Sequence, residues 1–237
     1  MAGVGPVRLA VAGDDAAEAL GVIHYEPTFE DTGENEPAPE NIFRQSYDIE
    51  NFNNYGPLLQ PGEEVVVTEK IHGQNARFVW RNDRLYCGSR TDWKREHSES
   101  TFWIAIKNHP EIVEFLKANT DCMVYGEVYG NQRKYKYGLT KDKARICVFD
   151  IIRGNQWLSY DEFARLVAEW NMPTAPFVYR GPFDESKLRE LAEGESLVPG
   201  AGHIREGIVI KPIIERTTPE LGRVQLKMIS NKYLTKS

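Results

Sequence analysis

Lys70 closes a β-rich run, Val65-Val66-Val67-Thr68-Glu69-Lys70-Ile71, and is followed at once by His72-Gly73-Gln74-Asn75. A neutral ε-amine can attack phosphorus or carbon. The ordinary lysine pKa of about 10.4 means that desolvation and neighbouring cations must first lower it. Gly73 would let the backbone approach a phosphate closely. A lone Lys-x-x-Gly is more often a surface lysine on an edge strand, so the pattern needs company. Downstream, Leu85-Tyr86-Cys87-Gly88-Ser89-Arg90 closes a strand on an arginine, and Gly126-Glu127-Val128-Tyr129-Gly130 sets a carboxylate between glycines. Val148-Phe149-Asp150-Ile151 offers an aromatic on a buried strand. Glu206-Gly207-Ile208-Val209-Ile210-Lys211 and Val224-Gln225-Leu226-Lys227-Met228 add a second carboxylate and two lysines. Gly-x4-Gly-Lys-[Ser/Thr] and Gly-x-Gly-x-x-Gly are absent, and no two of the five histidines stand at metal spacing.

These residues need strands to hold them. Val65–Ile71, Asn75–Trp80, Leu85–Ser89, Met123–Tyr129, Ile146–Ile152, Gln156–Leu158, Gly207–Ile213 and Arg223–Ile229 read as strands, with Arg81-Asn82-Asp83-Arg84 as a turn. Phe102–Asn119 predicts a helix interrupted near Pro110, with Trp103, Ile106, Ile112, Val113 and Leu116 facing the core. Tyr160–Asn171 predicts a helix capped by Ser159, with Phe163, Leu166, Val167 and Trp170 on its apolar face. Asp184–Ala192 is a further short helix. Many strands with few interposed helices argue an α+β domain of largely antiparallel sheets.

Among 237 residues, 29 are Lys or Arg and 35 Asp or Glu, a net charge of −6. The charge is uneven. Residues 1–64 hold 13 acidic and 2 basic side chains, and residues 65–237 hold 22 acidic and 27 basic. A basic body behind an acidic leader fits a nucleic-acid or phosphate partner, or ordinary surface charge. With 41% hydrophobic residues the chain can build a core, so wholesale disorder is excluded. No apolar run approaches the ~18 residues of a membrane span, and the first residues lack a signal peptide's basic flank and apolar stretch. Cys87, Cys122 and Cys147, odd in number and far apart, read as reduced core thiols of a cytoplasmic, intracellular protein. Residues 1–60 read as an acidic leader, with a short helix at Asp14–Leu20 and a Pro- and acid-rich linker or extended arm at Glu26–Glu40. Ile42–Asn53 is ambiguous. Residues 61–237 read as the folded domain.

The ordered series from Lys70 to Lys227 resembles the covalent nucleotidyltransferase superfamily of ATP-dependent polynucleotide ligases and capping enzymes. Within it the chain is similar to RNA ligases of the RNA-ligase-2-like and Deinococcus-type kind, over about residues 60–232. The resemblance implies an α+β, ATP-grasp-like nucleotidyltransferase domain, here without a complete OB domain. It implies that Lys70 attacks the α-phosphorus of ATP and becomes a lysyl–AMP phosphoramidate. Glu127 would hold the ribose hydroxyls and lie near Mg2+ (or Mn2+), Phe149 would stack on adenine, and Glu69 and Ile71 would flank the nucleotide beside Lys70. Glu206 would hold the hydrated metal ion, Arg90 would contact the phosphate or the RNA end, and Lys227 and Lys211 would neutralise phosphate charge. Such roles suit phosphoryl transfer, which is mostly positioning and charge neutralisation, and a Mg2+ keeping several waters needs only one or two carboxylates.

The same resemblance puts His72 and Asn75 at the substrate phosphates. Arg133, Lys134 and Lys136, interleaved with Tyr135 and Tyr137, suit an RNA-facing loop or an ordinary solvated one. DNA ligases carry Lys-x-Asp-Gly-x-Arg, whereas Lys70-Ile71-His72-Gly73-Gln74-Asn75 matches the RNA ligases. Only 10 residues follow Lys227, too few for a flanking domain, and Leu20–Pro27 looks like the joint to an N-terminal OB module missing from this chain. Gln225 stands where the last motif often holds a lysine, a loss that Lys211 or Lys232 would offset. The expectation is an ATP-dependent ligase sealing an RNA 3′-OH to a 5′-phosphate RNA or DNA end, in a nicked duplex, in RNA repair. The alternatives are a capping guanylyltransferase and a non-catalytic nucleotide- or RNA-binding module of the same fold.

Overall fold

The computed structural model describes residues 33–40, 42, 47–97, 99–130 and 132–236. The expected Asp14–Leu20 helix and the Leu20–Pro27 joint lie outside them. Among the described residues, fourteen strands and six α-helices follow in chain order: β1 Asn35–Glu36, β2 Glu50–Asn51, α1 Phe52–Tyr55, β3 Glu64–Lys70, β4 Gln74–Arg81, β5 Arg84–Gly88, β6 Trp93–Lys94, α2 Thr101–Lys107, α3 Pro110–Ala118, β7 Cys122–Tyr129, β8 Arg145–Arg153, β9 Gln156–Trp157, α4 Tyr160–Glu169, β10 Phe177–Pro182, α5 Glu185–Ala192, β11 Gly207–Pro212, β12 Thr217–Thr218, β13 Gly222–Arg223, β14 Leu226–Ile229 and α6 Asn231–Lys236. The first sheet runs β1-β6-β5-β4-β7-β8-β9 and is antiparallel throughout. The second runs β10-β3-β11-β14-β2 and is antiparallel except for the β14–β2 pair. The molecule is α+β with mostly antiparallel sheets.

Each sheet has one face against helices. In the first, Ala76, Phe78, Val124, Val128, Ile146 and Val148 pack on Ile106, Ile112, Leu116, Phe163 and Leu166 of α2, α3 and α4. In the second, Val65, Val67, Ile208, Ile210, Leu226 and Met228 pack on Phe52 of α1 and on Leu188 and Ala192 of α5. Side chains alternate along a strand, so the other face of β3, β11 and β14 must carry Val66, Thr68, Lys70, Gly207, Val209, Lys211 and Lys227. The register agrees, pairing Val66 with Lys211, Lys70 with Gly207 and Val209 with Lys227.

Local chemistry explains the element ends. Asn82 and Asp83 take φ of 48° and 55°, the left-handed pair of a tight hairpin turn between β4 and β5. Pro110 opens α3, where its missing N–H costs nothing. Ser159 and Glu162 close a capping box on α4, and Asp184 caps α5.

Several expectations need revision. The strand anticipated over Arg223–Ile229 is split. The Val224 N–H turns to the Arg216 carbonyl, and buried Gln225 donates to the Asp48 carbonyl at 3.1 Å, so sheet pairing resumes only at Leu226. Part of the expected Pro- and acid-rich arm is an edge strand, with Asn35 opposite Lys94 and Glu36 opposite Trp93. The ambiguous Ile42–Asn53 stretch contributes Tyr47 to a buried aromatic cluster and Glu50–Asn51 to the second sheet. Strand β10 and helix α6 were not anticipated. Cys87, Cys122 and Cys147 are free, buried thiols.

Candidate active site

Lys70 ends β3 on the face turned away from α5, and its amine lies 2.6 Å from Glu206 Oε1, the residue just before β11. The antiparallel pairing of Lys70 with Gly207 makes this contact local despite 136 residues of separation. Gly207 is required there, because a Cβ would stand 2.1 Å from the Met228 carbonyl oxygen. Burial opposes ionisation of Glu206, but the His72 hydrogen bond and the Lys70 charge outweigh it and hold the carboxyl below its usual range. At 21% exposure, Lys70 is shielded yet reachable.

Glu127 comes from the first sheet, on β7, opposite Asn75 of β4. The turn from β3 into β4 presses Gly73 against it. A Cβ on Gly73 would sit 2.3 Å from the Val128 carbonyl oxygen and 2.8 Å from Glu127 Cγ, so only glycine fits. Burial pushes the Glu127 carboxyl up to about 8, and Glu206 adds to this, against the opposing pull of Lys70 and the Gly73 backbone hydrogen bond. Lys70, Glu127 and Glu206 therefore sense one another. Asn75 Oδ1 and Tyr125 Oη, on the same face of the first sheet as Glu127, are buried without a hydrogen-bond partner among the described residues. A buried orphan costs about 1–3 kcal/mol, which a ligand group could recover.

His72 is held from several sides. Its N–H donates to Tyr137 Oη at 2.8 Å, and its Nδ1 lies 2.7 Å from Tyr233 Oη and 3.5 Å from Glu206 Oε2. The Tyr135 ring meets the imidazole edge-on with centroids 5.2 Å apart. In the same loop Arg133, Lys134 and Lys136 are exposed.

Phe149 sits at a bulge in β8, where Tyr125 faces Asp150 but Gly126 faces Val148, leaving Phe149 as the extra residue. It lines a cavity of about 220 Å³ with Val66, Thr68, Ala175, Phe177 and Lys211. Its carbonyl accepts from Lys211 Nζ at 3.1 Å, and that amine also pairs with Asp150 at 2.6 Å. Asp150 further binds Arg223, at 2.8 and 3.0 Å, and accepts from Tyr47 Oη. Burial opposes its charge, but Arg223 and Lys211 overcome this and hold the carboxyl at about 2.

The other sequence candidates fall around this centre. Lys227 shares the Lys70 face and has no hydrogen-bond or ion-pair partner among the described residues. Glu69, on the opposite face, is buried and accepts from Ser196 Oγ and the Leu197 N–H at 2.5 and 2.6 Å, and Ile71 is buried beside Tyr137 and Cys147. Exposed Arg90 pairs with Asp48 at 2.8 Å. Gln225 is buried, with its Oε1 3.0 Å from Tyr47 Oη. Sequence reasoning missed Tyr233, Tyr47 and Arg223 as neighbours of the site. No spacing signals them, because tertiary packing alone brings them in.

Among the described residues no three His, Cys, Asp or Glu side chains gather as a metal cage. Glu127 and Glu206 flanking Lys70 fit instead a hydrated divalent ion that keeps several waters.

A family model described as RNA ligase matches residues 63–229. Among solved structures, a Naegleria gruberi RNA ligase mutant with ATP and Mn is similar with a TM-score of 0.71 and 26% identity, covering 94% of this chain and 67% of that one. The same organism's ligase with PPi gives 0.70 and 26%, over 94% and 67%. Another of its mutants with ATP and Mn gives 0.72 and 25%, over 95% and 68%. No curated protein matches the chain.

Proposed function

The chain belongs to the RNA ligase family, and from that premise we propose that it is an ATP-dependent RNA ligase working through a lysyl–AMP intermediate on Lys70. The observation that carries this reading is the meeting of the Lys70 amine with Glu206 at 2.6 Å, beside Glu127 of the facing sheet. In the first step the neutral amine attacks the α-phosphorus of ATP, forming an N–P bond while pyrophosphate leaves. In the second, a 5′-phosphate oxygen attacks the same phosphorus and Lys70 is released. In the third, an RNA 3′-OH attacks the activated 5′-phosphate and AMP departs.

The chain's own residues divide this work. Glu206 orients the amine, and Glu127 is placed for ribose hydroxyls, with Asn75 Oδ1 as a further unsatisfied acceptor. Phe149, on the wall of the cavity, is placed as the platform for the base. Lys227, unpaired among the described residues, is free to meet α-phosphate charge, whereas Lys211 can do so only by sharing its amine with Asp150. A divalent ion held by Glu127 and Glu206 would supply charge neutralisation at the phosphates. His72, Arg90, Arg133, Lys134 and Lys136 form the proposed contacts to the RNA ends, read as a nicked duplex with 3′-OH and 5′-phosphate termini in RNA repair. The three buried free thiols support an intracellular setting, and no helix of the described residues is long and apolar enough to cross a membrane.

Labelled adenylate from [α-32P]ATP is expected to stay on the protein through denaturation and to vanish in Lys70→Ala. Label retained by that variant overturns the assignment.

A further inference from the structure

Helix α6 follows directly on β14, the strand that carries Lys227, and it brings Tyr233 against His72. Its first turn is fastened at both ends of a short polar chain. Ser230 Oγ donates to Glu193 Oε2 at 2.8 Å and accepts from the Tyr233 N–H at 3.1 Å, while the Asn231 N–H donates to Glu193 Oε1 at 2.7 Å. That anchoring delivers Tyr233 Oη to His72 Nδ1 at 2.7 Å, well inside the 3.5 Å that separates the same nitrogen from Glu206. Tyr135 completes the clamp. Its ring lies 5.0 Å from that of Tyr233 and 5.2 Å from the imidazole, and its backbone holds φ of 55°, a left-handed conformation costly for an aromatic residue.

We propose that Tyr233, with Tyr135 as its backing, is a positioning residue for the ligase reaction: it occupies His72 Nδ1 and so turns Nε2 to the phosphates bound at Lys70. This rests on the reading of Lys70 as the adenylated nucleophile. An imidazole hung on two side-chain bonds would otherwise be free to rotate and exchange which nitrogen faces the ligand. With Nδ1 engaged by a hydroxyl and the Tyr135 ring packed at a steep angle against the imidazole, the other nitrogen has a fixed direction. Tyr233 therefore acts on the reaction only through His72.

The test uses the full chain. Tyr233→Phe keeps the ring and removes the hydroxyl, and Leu234→Ala perturbs the exposed neighbour on α6 without touching His72. Single-turnover adenylate formation in Tyr233→Phe is expected to slow by about tenfold at saturating ATP, with little change in KM for ATP and in melting temperature. Leu234→Ala is expected to match wild type. The double variant His72→Ala/Tyr233→Phe should be no slower than His72→Ala, since the hydroxyl has nothing left to position. Full speed in Tyr233→Phe, or additive losses in the double variant, overturns the proposal. A second readout does not depend on activity. In 15N-histidine-labelled protein, the His72 Nδ1 resonance should move in Tyr233→Phe, whereas Nε2 should move when pyrophosphate and Mg2+ are added to wild type. An unmoved Nδ1 overturns the positioning contact. Absence of adenylate in wild type, with Nδ1 still shifted, overturns the lysyl–AMP reading and leaves the clamp in place.

Discussion

Lys70, Glu127 and Glu206 set two acids around one base, and the two acids are not alike. Glu206 is held ionised by His72 and Lys70, whereas burial pushes Glu127 up to about 8. A carboxyl raised from its ordinary 4.5 stabilises the fold fully below about 4.5, and that contribution is lost as the pH rises through about 8. In chelator-treated buffer the melting temperature should therefore fall between about pH 5 and pH 9, and Glu127→Gln should flatten the fall. A parallel decline in wild type and variant would remove Glu127 as its source. The acids and the lysines of the site were legible as residues, since a strand-end lysine and two Glu–Gly or Gly–Glu steps stand out in text. Their partners were not. The fate of Lys211, tied to Asp150, and of Gln225, bound to Tyr47 and Asp48, depends on which side chains packing brings opposite them.

Two local backbone features give the strands their function. The bulge in β8 takes Phe149 out of register with β7, leaving its carbonyl for Lys211 and its ring for the cavity wall. The turn at Gly73 brings the end of β3 against β7 with no room for a methyl group. Gly73→Ala should cost about 1–3 kcal/mol by overpacking and lower adenylate formation more than any other reported property. Wild-type label in a variant with a lowered melting temperature would separate the turn from the chemistry. Most elements were readable from period and caps, including the break at Pro110 and the Ser159 cap. Strand β10 was not, because Phe177–Pro182 lies half-exposed and shows no alternation of apolar and polar side chains. The bulge left no trace either, since register is a property of two strands and the text gives one at a time.

At the scale of the whole molecule, Asp150 joins the sheets. It belongs to β8 of the first, while Lys211 belongs to β11 of the second and Arg223 and Tyr47 close in from flanking segments. Removing one member of a buried ionic cluster leaves the rest uncompensated, so Asp150→Asn should destabilise the protein by about 3–5 kcal/mol, measured by denaturant unfolding. Its carboxyl is held at about 2, so the stability it confers is present above the ordinary 3.8 and is lost as the pH falls through about 2. A change under about 1 kcal/mol would show that the cluster is no tie. The order of strands also bears on how the molecule is made. β4 and β5 form a hairpin, β7 and β8 are consecutive strands that pair, and β4 meets β7 within about fifty residues of chain, so each can pair soon after it is synthesised. Strand β3, which carries Lys70, waits for β10 and β11, more than a hundred residues later. At roughly 5–20 residues per second, Val65-Val66-Val67 leaves the ribosome several seconds before either partner exists. Lys70, the proposed nucleophile, is translated early, and its partner Glu206 arrives only with β11, so a half-made chain would hold the lysine without the carboxylate that the proposed reaction uses.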